Sequence, residues 1–269
     1  MLAVSRSGYY LWLEGNKSRR TMENEALLRE IKKVRLNRRK KVYGAPRMHQ
    51  ELVANGFKCG KNRVARIMSK NGIKSTIRRK WKARGDSQDN QSITNDLVRQ
   101  DFNANRINEL WTADITYVWT EEGWLYLAVV LDVFSRKIVG WAMNKCMNKG
   151  IVLSAIKAAS LNRHIFGKAI FHSDRGSQFA CFAVQEFLHG LGLEQSMSGR
   201  GNCYDNAITE SFFHTLKVEL VYQESFKTRR EASLALFEYI EGFYNRERRH
   251  SALGYLSPEE FEKQAILAV

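Results

Sequence analysis

The apolar positions of the chain fall into two textures. In ENEALLREIKKVRLNRRK (23–40), Leu27, Ile31 and Val34 recur at helical spacing and basic residues gather toward the end, where a helix dipole favours them. The pattern predicts one amphipathic helix. APRMHQELVANG (45–56) and KNRVARIMSKNG (61–72) each close on Asn-Gly, a helix stop in which glycine readily takes the left-handed conformation. They predict a helix, the short turn FKCG and a second helix. In that second helix Val64, Ile67 and Met68 would face inward, and Arg63, Arg66 and Lys70 outward. The layout fits a helix-turn-helix whose second helix enters a DNA major groove, and equally a plain helical hairpin with a solvated basic face. KSTIRRKWKAR (74–84), with Arg78, Arg79 and Lys80 at its centre, sets six basic residues around Trp81 and suits phosphate contacts. GDSQDNQS (85–92) is polar and aperiodic, and reads as a linker.

Past the linker the texture changes. Three apolar, β-rich runs follow closely: LWTADITYVWT (110–120), WLYLAVVLDVF (124–134) and KIVGWAMN (137–144), separated by EEG and SR turns. They predict a three-stranded antiparallel meander. Next come a helical IVLSAIKAASL (151–161), a strand opening AIFHSD, a helix over about 181–190, a short strand LEQSMS (193–198) and a glycine-bearing loop GRGNCYDN (199–206). Further helices follow, and the chain closes on SPEEF, a capping box with Ser257 as N-cap, Pro258 at the first helical position and Glu260 reaching back. This order fits an α/β fold: a ribonuclease H-like mixed sheet behind an N-terminal all-α region. The expected organisation is a basic helical region over 1–84, a linker over 85–100 and a catalytic core with C-terminal helices over 101–269.

Charge sharpens that division. Residues 1–100 carry 25 Lys and Arg against 8 Asp and Glu, or +17, and residues 101–269 carry 18 against 20, or −2. A basic block joined to a near-neutral one suggests that one part holds a polyanion while the other acts on it, and nucleic acid is the best candidate. With 44% hydrophobic residues the 269-residue chain can bury a real core. No apolar run approaches the roughly 18–20 residues of a membrane span, and the first residues lack a signal-peptide layout, so the expected location is cytoplasmic with no membrane partner. Cys59, Cys146, Cys181 and Cys203 form no C-x-x-C pair and no cysteine-histidine cluster. They read as reduced packing residues.

Three acids stand out. Asp114 interrupts the first strand, Asp174 ends the strand AIFHSD, and Glu210 lies in DNAITESFFHTLKVEL, a helix for which Asp205 is an available N-cap. On that helix Ile208, Phe212, Phe213, Leu216 and Leu220 share one arc, while Glu210, His214 and Lys217 cluster in a neighbouring arc of roughly 60°. An acid, a proton carrier and a cation thus share one strip. Glu219 falls inside the apolar arc, a flaw in the pattern. Carboxylates at strand ends and on an adjoining helix can converge on hard divalent cations, and two such ions serve phosphoryl transfer. Lys217 would meet a DNA phosphate beside them. Taken singly, each acid also fits a plainer role as a cap, a turn or a surface charge. Asp132 is a rival acid, but it precedes a Ser-Arg turn and reads as part of it.

Between Asp174 and Glu210 lie 35 residues, and the acids sit in WTADITYV, FHSDRGSQF and NAITESFFHTLK. This closely resembles the Asp, Asp, 35-residue gap, Glu signature of retroviral integrases and, more specifically, of insertion-sequence family three transposases, product of the downstream reading frame. VSRSGYYLWL, YGAPRMHQELVANGF, LDVFSRKIVGW and YNRERRHSALGYLSPEEFE also resemble that family, so the likeness covers nearly the whole chain. The resemblance implies that Asp114, Asp174 and Glu210 form a metal-binding catalytic triad using two Mg²⁺ ions, with Mn²⁺ as a substitute. It makes Lys217 the DNA-holding base seven positions after the glutamate, and residues 43–74 a helix-turn-helix-like domain. His172, Arg175, Asn206 and His214 are supporting candidates for which packing or turn roles stand equally open. The zinc-binding histidine-cysteine domain of retroviral integrases is missing from the sequence, which aligns the chain with the bacterial transposases.

The resemblance further implies cleavage and strand transfer at the terminal inverted repeats of an insertion sequence, followed by joining to target DNA. The route is copy-out, paste-in through a circular intermediate. A homo-oligomer, at least a dimer, would pair the two ends, with the upstream-frame product as a fusion partner. The rival readings are a metal-dependent nuclease on the same fold and a non-catalytic DNA-binding regulator.

Overall fold

The computed structural model describes residues 5–13, 15, 17–75, 97–98, 103–165, 167–198 and 207–267. The chain divides into two compact units, Met1–Ile77 and Arg78–Val269. Most of the basic run 74–84, including Arg78, Arg79 and Lys80, lies outside the described residues, as do the predicted linker except for residues 97–98 and the loop 199–206 with Asp205 and Asn206.

In the first unit a short helix, α1 (Arg6–Leu13), precedes α2 (Arg19–Leu36). The hydrophobic period places α2 over 23–40, but its ends are set by caps. The Ser18 hydroxyl accepts the Thr21 N–H at 3.2 Å and starts the helix earlier. Asn37, with extended backbone and its side chain accepting from Arg39 N–H at 2.9 Å, stops it before the basic run, which forms a 3₁₀ turn over Arg38–Val42. The two Asn-Gly stops behave as expected: α3 (Ala45–Ala54) and α4 (Lys61–Lys70) end ahead of Gly56 and Gly72, at φ 85° and 65°. Leu27, Ile31 and Val34 of α2 belong to one buried set with Met48, Leu52, Val64, Ile67 and Met68.

The second unit is built on a five-stranded sheet in the order β3-β2-β1-β4-β5. The predicted meander is present: β1 (Leu110–Thr120), β2 (Gly123–Asp132) and β3 (Ile138–Asn144) pair antiparallel. β4 (Ala169–Ser173) runs parallel to β1, and β5 (Leu193–Met197) runs parallel to β4. Between the strands lie α5 (Lys149–Asn162) and α6 (Phe182–Gly190). They cover one sheet face, burying Ile151, Val152, Ala155, Ile156, Val184 and Leu188 with Trp111, Ala113, Ala128 and Val130. Helices α7 (Ala207–Glu219) and α8 (Arg229–Phe237) also pack on the sheet, and α8 runs on into a π-helical stretch, Glu238–Tyr244.

The last helix, α9 (Pro258–Leu267), starts from the predicted box: the Ser257 N–H donates to Glu260 Oε2 at 2.9 Å, and the Glu260 N–H to Ser257 Oγ at 3.3 Å. Its Glu262 binds Arg163 and Lys137 at 2.6 and 3.2 Å, tying the chain's end to the exits of α5 and the entry of β3. Asn245 gives β3 a substitute neighbour, accepting the Ile138 N–H and donating to the Ile138 carbonyl, both at 3.0 Å.

At Gly140, β3 and α5 approach so closely that a Cβ would collide with the Ala155 carbonyl and lie 2.7 Å from Ala159 Cβ. Backbone cannot swing aside as a side-chain tip can. Gly140→Ala is expected to destabilise the unit by about 3 kcal/mol, measured by urea unfolding, with an unchanged midpoint contradicting the packing.

Candidate active site

The parallel register of β1 and β4 decides where two of the acids stand. Pairing runs from Leu110↔Ile170 to Ala113↔Ser173 and stops. Asp114 and Asp174 are the next residues on the two strands, at the point where β4 ends and β1 continues. Asp114 Oδ1 accepts the N–H of Ile115 at 2.7 Å. Asp174 Oδ1 accepts the Gly176 N–H at 3.0 Å, closing a turn over the carboxylate, and a Cβ at Gly176 would lie 3.0 Å from that oxygen. The glycine therefore lets the backbone fold back on the acid.

Glu210 comes from the first turn of α7 and is exposed. Its neighbour Thr209 donates a hydrogen bond to Thr112 Oγ1 at 2.8 Å, with both residues fully buried. Thr112 lies two residues before Asp114 on the same strand face. One hydroxyl pair thus fixes the helix of Glu210 to the strand of Asp114.

The charges act on one another. Burial, and then the negative charge of Asp174, push the Asp114 carboxyl up to about 7; Glu210 adds to the rise, while the Ile115 N–H and Lys217 oppose it. Asp174 is open to solvent on one side, yet its surroundings desolvate it enough to raise its carboxyl too, against the Gly176 hydrogen bond and the charge of His172. Lys217 Nζ sits 5.0 Å from the centroid of the Tyr117 ring. Burial lowers its ammonium and Asp114 holds it up.

Along α7 the expected strip is present: Glu210 and His214 are exposed and Lys217 is half-buried, while Phe212, Phe213, Leu216 and Leu220 face the core and Ile208 is partly buried. Glu219 proves to be no flaw. Its carboxylate takes two 2.8 Å bonds from Arg248 and a third, also 2.8 Å, from the Tyr239 hydroxyl, all buried. Arg248 also lies over the Tyr244 ring and beside His250. The apolar arc carries an acid there because its partner cation is buried with it.

The remaining candidates separate. His172 is buried, with Nδ1 2.9 Å from Ser196 Oγ, and binds β4 to β5. Arg175 donates from Nε to the Ser198 carbonyl and joins the exits of the same strands. Asp132 caps a turn, as its sequence suggests: it accepts from Ser135 N–H at 3.1 Å and from Asn108 N–H at 2.7 Å. In the first unit, Arg66 and Lys70 are exposed, whereas Arg63 is drawn to α2, bonding Asn24 at 2.8 Å and Glu23 at 3.1 Å. Periodicity points to neither Thr112 nor Thr209, whose only signal is a hydroxyl next to or two places from an acid.

The two acids whose charge reaches Asp114, Asp174 and Glu210, offer carboxylate oxygens, the chemistry that hard divalent ions prefer. Among the described residues no three His, Cys, Asp or Glu side chains gather closely enough to hold an ion. The acids stand within each other's field without converging.

A strand meander extended by two parallel strands, with helices on the sheet and acids where the central strands part, defines a ribonuclease H-like integrase core. Two integrase core domain families match the chain, over residues 104–203 and 210–266, and an HTH-like domain family matches residues 22–81. A 31 kDa protein of insertion element IS600 from Shigella sonnei is 41% identical over 98% of this chain and 97% of its own length. The transposase InsF of insertion sequence IS3A from Escherichia coli is 39% identical over 99% and 93%. The chain belongs to the IS3 family of insertion-sequence transposases. In fold it is similar to a chain of the simian T-cell lymphotropic virus intasome solved in complex with a PP2A regulatory subunit, at 14% identity and a TM-score of 0.50, covering 79% of this chain and 69% of that one.

The raised Asp114 carboxyl carries a sign. A carboxyl higher in the folded than in the unfolded state favours folding while protonated, and that contribution is lost as pH rises from about 4 through about 7. Asp114→Asn is therefore expected to stabilise the metal-free chain, and the gain should grow by about 2 kcal/mol between pH 5 and pH 8. Urea unfolding at both pH values measures it, and a gain independent of pH would contradict the assignment.

Proposed function

We propose that the chain is a DDE transposase: Asp114, Asp174 and Glu210 hold two Mg²⁺ ions, with Mn²⁺ as substitute, and the enzyme cuts one strand at an end of an insertion sequence and joins the freed 3′-hydroxyl to another phosphodiester. The observation that carries this reading is Asp114, desolvated at the β1–β4 divergence within the field of Asp174 and Glu210. Cations bound there would activate the attacking oxygen and balance charge on the leaving one.

The protein's own groups orient and bind. Asp114 and Asp174 present oxygens from rigid strand ends, the Thr112–Thr209 bond positions the helix of Glu210, and Lys217 offers a cation to the DNA phosphate. Water and then a DNA hydroxyl are the nucleophiles, so no covalent protein-DNA intermediate is needed. Residues 1–84 hold DNA through their positive charge, with exposed Arg66 and Lys70 on α4 and the run Arg78, Arg79 and Lys80, and residues 101–269 perform the chemistry. The DNA partners are the element's terminal inverted repeats and the target. Two or more copies pair the ends, the upstream-frame product joins as a fusion, and the route is copy-out, paste-in through a circle in the bacterial cytoplasm. Among the described residues no helix is long and apolar enough to cross a membrane.

The test is strand transfer: labelled DNA carrying the element's ends, Mg²⁺, and the chain beside its Glu210→Gln variant. The unmodified chain, fused to its upstream segment where that is needed, should yield a joined product that the variant reduces about 1000-fold or more while binding DNA equally. Breaks without joining would instead support a nuclease. Equal joining by both proteins would remove Glu210 from the chemistry.

A further inference from the structure

Beyond Ala113, β1 outruns β4 and continues with β2 as an arm that β3 borders only as far as Tyr126↔Asn144, two-stranded from Val118↔Leu125 to Thr120↔Gly123. Side chains alternate along a strand, so Tyr117 and Trp119 follow Trp111, Ala113 and Ile115 on the face that α5 and α6 cover further back. On the arm that face is open. Tyr117, Trp119 and Trp124 are 53%, 57% and 42% exposed. Trp124 meets both neighbours edge to face, with centroids 4.9 Å from Tyr117 and 4.8 Å from Trp119, interplanar angles 80° and 72°. Three large rings fixed side by side in water forgo burial, and on a protein surface such clusters mark recognition.

The surroundings indicate what they recognise. At one end Lys217 Nζ stands 5.0 Å over the Tyr117 ring, and the same ammonium lies in the field of Asp114, so one cation borders both the ledge and the candidate active site. At the other end Arg229 donates to the Trp124 carbonyl at 3.0 Å and faces Glu122 at 4.0 Å. Three half-exposed rings make a surface far smaller than the roughly 800 Å² per partner of a stable protein interface. Aromatic faces beside cations are instead the layout of single-strand binding, in which bases stack on rings and phosphates meet the positive charge.

We infer that Tyr117, Trp119 and Trp124 form a stacking ledge for unpaired bases of the DNA end whose phosphodiester lies at Asp114. Asp114 points from the opposite strand face, and the edge of β1, uncovered by β4 beyond Ala113 and bordered by Lys217, joins the two. The ledge begins three residues along the strand from that acid and ends five along, roughly 10–17 Å away, within reach of a DNA strand that crosses that edge. It rests on the transposase reading and adds to it that the terminal base pairs open before strand transfer and that the ledge holds the displaced bases.

Photocrosslinking tests this. The full chain carrying Glu210→Gln is irradiated with element-end DNA in which 5-iodouracil replaces bases beside the cleavage position, and the crosslinked peptide is mapped. Attachment within residues 117–124, together with an affinity for an oligothymidylate single strand that falls about 10-fold in Trp119→Ala/Trp124→Ala and returns with Tyr at both positions, is the expected result. Both residues are exposed, so the variant should keep its fold. Crosslinks confined to other parts of the chain, or unchanged single-strand affinity in the Ala variant, would overturn the ledge and leave the transposase reading standing. A ledge variant that loses self-association but not single-strand affinity would assign the rings to a second copy of the chain and overturn the inference as well. Failure of the unmodified chain to bind any DNA would remove both readings.

Discussion

Negative charge held where water is scarce is the constraint around which the second unit is organised. Asp114 is desolvated and within the field of two other carboxylates, so its ionised form is disfavoured. Each local device holds an acid in place against that cost. The end of the β1–β4 ladder sets two of them side by side, the Gly176 N–H closes a turn over Asp174, and the Thr112–Thr209 bond keeps α7 against β1. Carboxylate oxygens so placed have the chemistry that hard cations prefer.

Helix α7 shows two answers to the same electrostatic problem. Near its start, Glu210 faces outward beside other acids. At its end, Glu219 is buried with a bidentate Arg248, the Tyr239 hydroxyl and the nearby Tyr244 and His250 rings. Removing one partner of such a pair leaves an uncompensated buried charge, whereas the complete network is self-contained. The helix is thus clamped at one end by satisfied charge and presents unsatisfied charge at the other. Arg248 and His250 come from the segment leading to α9, so the C-terminal helices brace α7 rather than merely follow it.

Much of the sheet was legible because strand signals are local. The run 110–120 alternates, ends in turn residues and coincides with β1, and the meander and its two parallel additions follow the same logic. Helix ends were less legible: α2 begins at a Ser18 cap that hydrophobic spacing does not register. Long-range partners were not legible at all. Glu219 looked misplaced because Arg248 lies 29 residues away, Arg63 looked outward-facing because Glu23 lies 40 residues away, and the Thr112–Thr209 pair spans 97 residues. The aromatic arm read as ordinary strand, since only the sheet order shows that β4 stops short of it. At the candidate site the spacing of three acids was visible, but the desolvation of Asp114 required the fold.

The most direct measurement of the central claim is Mg²⁺ titration by calorimetry at pH 6 in two buffers of different ionisation enthalpy, which counts protons released on binding. If the carboxylates form a cation site, Mg²⁺ should displace about one proton per chain from Asp114, and Asp174→Asn should abolish the effect. Binding with no proton release, or release unchanged in Asp174→Asn, would contradict the account.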